Sequence, residues 1–87
     1  MNERLLILKA YVEASTYRVK ALKSIGGGYK TPTFIAKDCG IRTNHISKVL
    51  KELKENQLAV CINEDAKKGR LYKLTPQGLQ VMEMIQK

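Results

Sequence analysis

The stretch TPTFIAKDCGIRTNHISKVLKELKEN, residues 31–56, predicts two helices joined by a short turn. Thr31 and Pro32 form a helix-start signature, because the threonine hydroxyl can accept a free backbone N–H and proline needs no donor at the first helical position. The glycine that follows residues 31–39 is predicted to end the first helix. Since the turn at residues 40–42 is short, the next helix must cross the first one steeply.

The second helix of this stretch, residues 43–56, has the clearest amphipathic pattern in the chain. Apolar side chains recur at i, i+3, i+4 and i+7 and share one stripe: Ile46, Val49, Leu50 and Leu53. The side chains on the opposite face are polar or basic: Asn44, Ser47, Lys48 and Lys51. Asn56 is predicted to adopt the left-handed conformation that ends the helix.

The segments around this stretch complete a single domain. Ser15 or Thr16 can cap a helix that ends at three consecutive glycines, which are predicted to form a flexible connector. A second Thr-Pro pair, beginning at Thr75, opens a helix near the C-terminus. The predicted elements of the domain 1–87 are an N-terminal segment 1–14 that favours a helix, helices 15–25, 31–39 and 43–56, a hairpin 58–74 and a terminal helix 75–86.

The hairpin at residues 58–74 is predicted from two short apolar runs around a polar loop. Leu58, Val60 and Ile62 alternate along the first strand and are expected to share one face, as are Tyr72 and Leu74 on the partner strand. Cations near a loop tip suit contact with a nucleic-acid backbone or minor groove, but an ordinary solvated turn also contains such residues. The candidate contacts in the loop 64–70 are Lys67, Lys68 and Arg70.

The composition describes an ordinary globular chain with a strong positive charge. Hydrophobic residues make up 44% and charged residues 28% of the 87 positions. Sixteen lysines and arginines oppose eight aspartates and glutamates, and the net charge of +8 favours a polyanionic partner. No apolar run approaches the ~20 residues that span a bilayer, so we expect a cytoplasmic protein without membrane contact.

Few residues in the sequence can carry catalysis or hold a metal ion. Cys39, Cys61 and the single histidine, His45, lack the spacing of a zinc site. No known nucleophile motif places a serine or cysteine beside a histidine, and the glycine run lacks the spacing of a phosphate-binding loop. We therefore expect a protein that is not an enzyme, has no metal or cofactor, and shows no evident small-molecule ligand.

The polar side of the helix 43–56 fits a helix that lies in the major groove of B-form DNA. Asn44 can bond the N6 and N7 edge of adenine, whereas Lys48 and Lys51 suit phosphates or guanine. A solvated face of an amphipathic helix can have the same residues, but the short turn and the capped helix before it favour DNA. The candidate contacts in this region are Arg42, Thr43, Asn44, His45, Ser47, Lys48 and Lys51.

The two terminal segments carry more apolar side chains than one core face needs. Leu6, Ile7 and Tyr11 widen the apolar surface of the N-terminal segment, and Met84 lies outside the apolar stripe of the last helix. Surplus apolar surface often marks a subunit interface. We therefore expect a homodimer through the N- and C-terminal helices; packing of the two termini on each other within one chain is the alternative.

Three stretches, taken in their order and spacing, resemble the winged helix-turn-helix transcriptional regulators of bacteria and archaea, in the broad MarR- and ArsR-like group. They are Thr-Pro-x-x-Ile-Ala-x3-Gly-Ile at 31–41, Ile-Ser-x2-Leu-x2-Leu at 46–53 and Leu-Tyr-x-Leu-Thr-x-x-Gly at 71–78. The run Ser-Thr-Tyr-Arg at 15–18 is similar to small archaeal members of the group.

The resemblance implies a mainly α fold with a small β-hairpin: a three-helix core, a wing and an additional terminal helix. It also implies a sequence-specific transcriptional regulator that binds double-stranded DNA as a dimer. The helix 43–56 is then expected in the major groove and the wing on the backbone or minor groove. Because the chain is shorter than full-length MarR-like proteins, no separate effector domain is expected. A protein–protein interaction module and an RNA-binding winged helix are the alternative functions.

Overall fold

The structure is a computed structural model that describes residues 3–86. Residues 1, 2 and 87 of the predicted domain lie outside the described part. Within residues 3–86, five helices and a small antiparallel sheet make up the fold. The elements in chain order are α1 (Glu3–Glu13), α2 (Thr16–Ile25), β1 (Tyr29–Lys30), α3 (Pro32–Cys39), α4 (Thr43–Glu55), β2 (Ala59–Cys61), β3 (Tyr72–Leu74) and α5 (Pro76–Gln86).

Side-chain caps fix where α2 and α3 begin. The Ser15 hydroxyl accepts the backbone N–H of Arg18, and the Thr31 hydroxyl accepts the backbone N–H of Phe34 at 3.2 Å. Gly40 ends α3 in the left-handed conformation, with a φ of 69°, and its N–H bonds to carbonyls of the last turn. A side chain at this φ would be strained, so the glycine permits the tight turn into α4.

The end of α4 differs from the prediction. Asn56 has a φ of −95°, and the next residue, Gln57, holds the left-handed conformation at a φ of 60°. The side-chain amide of Asn56 donates to the Glu52 carbonyl at 2.9 Å, and the same carbonyl accepts the Asn56 backbone N–H at 3.2 Å. The chain therefore reverses from α4 toward β2 one residue later than the sequence indicates.

One apolar core lies between the helices and the inner side of the sheet. The whole apolar stripe of α4 is buried, and Leu22 and Ile35 from the two preceding helices are fully buried against it. α1 and α5 pack on each other at one side of this core and contribute Leu8, Val12 and Val81 to it. The terminal helices therefore contact each other within one chain, and this contact uses only part of the apolar surface of α1.

The sheet contains a third strand that the sequence pattern does not predict. β1 pairs antiparallel with β3, so the strand order is β1-β3-β2. The glycines at 26–28 therefore lead into a strand and are more than a connector. Because β1 has only two residues, it is too short to show the alternation by which a strand is recognised.

Of the three apolar residues predicted to share one face, Val60 and Ile62 are exposed on the outer side of the sheet, whereas Leu58 is buried. Ala59 is buried, whereas Val60 is 41% and Ile62 is 49% exposed. Ala59 lies opposite the buried Leu74 of β3, so the register places it on the core side. Leu58 is also buried, but it lies in the turn before β2, so its burial does not indicate which face of the strand points to the core.

α5 approaches the start of β2 very closely at Gly78. A Cβ atom at this position would lie 2.1 Å from the carbonyl oxygen of Leu58. Thr75 joins the same two segments, because its hydroxyl donates to the Gln57 carbonyl at 2.7 Å and accepts the Gly78 N–H at 2.9 Å. The stretch 71–78 thus fixes α5 onto the rest of the domain.

Candidate nucleic-acid interface

The polar face of α4 is open to solvent along its length. Asn44, Ser47, Lys48 and Lys51 are all exposed, while the apolar stripe on the other side of the same helix is buried. Because the buried stripe anchors α4, the polar face has a fixed orientation on the domain. No ion pair found within residues 3–86 involves Lys48 or Lys51, so both ammonium groups can approach an anion.

The first turn of α4 and the residue before it add further polar groups. Arg42 precedes the helix and makes no side-chain cap, and its side chain is exposed, as are those of Thr43 and His45. The Ser47 hydroxyl donates to the Thr43 carbonyl at 3.0 Å. Since its proton is used in this bond, Ser47 is left to contact a ligand as an acceptor.

A concavity of about 320 Å³ borders the polar face on the side of α2. The Tyr17 ring, which is partly exposed, lies there with its centroid 5.9 Å from that of the His45 ring. Tyr17 is not among the contacts predicted from sequence, and an aromatic residue next to a helix cap is too common to indicate one. The residues that line the concavity are Ser15, Tyr17, Arg18, His45, Lys48, Val49 and Glu52.

Arg18 holds α1, α2 and α4 together beside this concavity. Its guanidinium forms an ion pair with Glu52 at 3.4 Å, donates to the Tyr11 carbonyl at 2.8 Å and lies 3.9 Å from the centre of the Tyr11 ring. The network orients α4 relative to the two preceding helices and neutralises a carboxylate near the polar face. The sequence pattern does not predict it, because Arg18 and Glu52 are brought together only by the fold.

The tip of the wing carries the three predicted cations on an ordered loop. The Asn63 amide donates to the Gly69 carbonyl at 3.1 Å, and its carbonyl oxygen accepts the backbone N–H of Leu71 at 2.6 Å. This loop meets the first turn of α3 around a concavity of about 420 Å³. The exposed cations that line it are Lys67, Lys68 and Arg70.

One acidic residue of the wing is tied to α4. Glu64 pairs with Lys54, and this hydrogen bond lowers the pKa of the Glu64 carboxyl and raises the pKa of the Lys54 ammonium. Both groups are therefore charged at neutral pH. Because α4 supplies the counter-charge for Glu64, the three cations of the loop give its tip a positive balance.

The described residues offer few groups for metal binding or nucleophilic chemistry. Across residues 3–86, no group of three or more His, Cys, Asp or Glu side chains is placed to hold a metal ion. Burial, and secondarily the neighbouring Asp38, raises the pKa of the Cys39 thiol, which therefore stays protonated at neutral pH and is a poor nucleophile. No helix in the same range is long and apolar enough to cross a membrane.

The helices α2, α3 and α4 with the wing and the additional α5 define a winged helix-turn-helix domain, which confirms the predicted fold class. Solved structures of a possible ArsR-family regulator and of a MarR-family transcription regulator share this fold, which confirms the resemblance seen in the sequence. No protein-family model and no curated protein sequence matches the chain.

Three solved structures show the extent of the likeness. The homodimeric winged helix-turn-helix DNA-binding domain of Mb0332 from Mycobacterium bovis, a possible ArsR-family regulator, is 16% identical, with a TM-score of 0.75 over 99% of this chain and 84% of that one. MepR in the S. aureus MepR-DNA complex is 18% identical, with a TM-score of 0.72 over 93% of this chain and 73% of that one. A Lactococcus lactis ZitR mutant is 20% identical, with a TM-score of 0.73 over 83% of this chain. The present chain spans only 50% of the length of that protein.

Proposed function

We propose that this protein is a sequence-specific transcriptional regulator that binds double-stranded DNA. The observation that supports this function most directly is the face of α4, where polar and basic side chains are exposed on a helix anchored by a buried stripe. In this proposal α4 enters the major groove, and the wing loop 64–70 contacts the neighbouring backbone or minor groove. MepR, which has the same fold, was solved in complex with DNA, and this supports DNA binding by the present fold.

The proposed contacts divide into phosphate binding and base recognition. Lys48 and Lys51 on α4 bind phosphates together with the wing cations Lys67, Lys68 and Arg70. Base edges are read from the beginning of α4, where Ser47 acts as an acceptor because its proton is bonded to the helix backbone. The proposed base-reading side chains are Arg42, Asn44, His45 and Ser47, with Thr43 beside them at the first helical position.

Replacing Asn44 with alanine tests base recognition. We expect binding to the preferred site to weaken by about 1–3 kcal/mol, with no change for random duplex, because only a base edge distinguishes the two. Fluorescence anisotropy with both duplexes measures the effect. Lys51→Ala is the matched comparison: it should weaken both complexes and lower the slope of log K against log salt by about one. An equal loss on both duplexes for Asn44→Ala would make Asn44 a backbone contact.

We further propose that the protein is a cytoplasmic, archaeal-type regulator that binds its operator as a homodimer through α1 and α5. α1 exposes Leu6 and Ile7 next to its contact with α5, and Ile7 is the most exposed large apolar side chain described, at 68%. The homodimeric state of the Mb0332 domain, which shares this fold, supports a dimer. A two-fold dimer binds a palindrome whose half-sites lie about 34–36 Å apart.

Replacing Ile7 with aspartate is expected to convert the dimer to a monomer, because the interface would then bury two uncompensated carboxylates. Sedimentation velocity over a concentration series measures the change. Ile62→Asp is the matched control, since Ile62 is also exposed but lies on the wing. A wild-type protein that is monomeric at every concentration, or a dimer lost only in Ile62→Asp, would contradict this interface.

Selection from a random duplex library, followed by sequencing of the bound fraction, tests the proposed function as a whole. A motif bound at least ~10³-fold more tightly than bulk DNA supports a sequence-specific regulator, and a palindromic motif supports the dimer. Binding that fades with salt and yields no motif would contradict the proposal. Tighter binding to structured RNA than to any duplex would favour the RNA-binding alternative.

A further inference from the structure

The outer face of the wing sheet is an apolar surface with a lysine at its centre. Tyr29 of β1 and Val60 of β2 both lie opposite Lys73 of the middle strand, so the three side chains form one cross-strand row. Tyr29 is 60% exposed, and Ile62 adds a further exposed apolar side chain beyond Val60. We call these four residues, Tyr29, Val60, Ile62 and Lys73, the outer sheet face.

Neither the core nor the proposed DNA contacts use the outer sheet face. The other side of the sheet covers the core with Ala59 and Leu74. The wing cations belong to the loop between the strands, and none of the ion pairs described for this chain involves Lys73. Three large apolar side chains exposed together on one small sheet indicate a surface that another molecule covers.

We propose that the outer sheet face docks a short amphipathic helix of another protein, with acidic residues beside the apolar stripe of that helix. Three strands spaced about 4.8 Å apart give a face about 10 Å wide, which matches the diameter of one helix. A helix on a sheet face satisfies its own backbone and needs only side-chain contacts. Covering Lys73 without a carboxylate would leave a buried charge unpaired, so the partner helix must be acidic.

The charge of the chain disfavours a second copy as the occupant. A two-fold axis through the outer sheet face would bring Lys73 against Lys73, and the net charge of +8 adds to this repulsion. An acidic helix gains attraction from the same charges and apolar contact from Tyr29, Val60 and Ile62. Because the face is small, the complex is transient, with a Kd on the order of 100 µM.

An NMR titration of the ¹⁵N-labelled full chain with designed peptides tests the docking surface. The probe is a helical peptide of about four turns, with leucines at i, i+3, i+4 and i+7 and glutamates beside them. Its control has lysine in place of every glutamate. We expect the acidic peptide to shift the amide signals of Tyr29, Val60 and Lys73 in a saturable way, and the basic peptide to leave them unchanged. No shift, or shifts centred on α4 or the wing tip, would overturn the proposal.

Charge reversal separates docking from general attraction between opposite charges. Lys73→Glu is expected to weaken binding of the acidic peptide by at least about 10-fold and to create binding of the basic peptide. Lys67→Glu makes the same charge change in the same hairpin but off the outer sheet face, and should weaken the acidic peptide by less than about twofold. An equal loss in both variants would overturn the proposal.

The same variant distinguishes this surface from the DNA interface. Lys73→Glu is expected to leave the salt slope of duplex binding unchanged, because the outer sheet face does not contact phosphates in the proposed complex. A slope lowered by about one would assign Lys73 to the DNA footprint and overturn its role in docking a protein. Failure of duplex binding in the wild-type protein would remove the proposed regulator but would not affect the peptide titration.

Discussion

Replacing both Lys48 and Lys51 with glutamate is expected to weaken binding to every duplex by about 100-fold or more at physiological salt. In the proposed complex each of the two lysines contacts one phosphate, so the loss of both contacts and of their counterion release should lower the slope of log K against log salt by about two. Each new carboxylate then repels the nearby phosphates. Both side chains are exposed and lie opposite the buried stripe of α4, so the fold is expected to be unchanged.

The matched control for this double replacement is Lys20→Glu with Lys23→Glu on α2. Both positions are exposed, and the change in net charge is identical. Because charges beyond a Debye length are largely screened at physiological salt, we expect less than about a 10-fold loss and an unchanged slope. Anisotropy titrations across a salt series measure both quantities. If the control variant lost as much duplex affinity, with the same change of slope, the polar face of α4 would not be the site of DNA binding.

The helix-turn-helix could be predicted from the sequence because its signals are local. The apolar stripe of α4 repeats over more than two turns, which is long enough to separate a helical period from a strand period. The cap at Thr31 and the left-handed Gly40 are likewise decided by the conformation of single residues. The exposure of the predicted contact residues at 42–51 follows from these same local rules, and the exposure of the wing cations follows from the polar loop in which they lie.

The orientation of the sheet and the ion pair that fixes α4 could not be predicted in the same way. β2 has three residues, and its orientation depends on which residue lies opposite the buried Leu74 of β3. The alternation of Leu58, Val60 and Ile62 does not tell which face of the strand is buried, and the register places Ala59 on the core side. The contact of Arg18 with Glu52 is non-local for the same reason, since it exists only once α2 and α4 have packed. Local periodicity carries no information about such pairings.

Gly78→Ala is expected to lower the free energy of unfolding by about 2–3 kcal/mol, although alanine normally favours a helix over glycine by about 1 kcal/mol. The new Cβ would lie 2.1 Å from the Leu58 carbonyl oxygen and 3.3 Å from the Leu74 Cβ, and neither neighbour is the free end of a flexible side chain. Relief requires α5 to move away from the start of β2. That movement would stretch the hydrogen bond from the Thr75 hydroxyl to the Gln57 carbonyl, which joins the same segments.

Thermal unfolding followed by circular dichroism measures this change, with an expected fall in Tm of about 10–20 °C for a domain of this size. Gly27→Ala is the control, since no atom lies within 4 Å of a Cβ there and its backbone is not left-handed, so its effect should stay within about 0.5 kcal/mol. Similar Tm values for both variants would mean that α5 is free to shift. Because α1 packs on α5, a shifted α5 would also move α1, and the proposed dimer should then weaken in Gly78→Ala but not in Gly27→Ala.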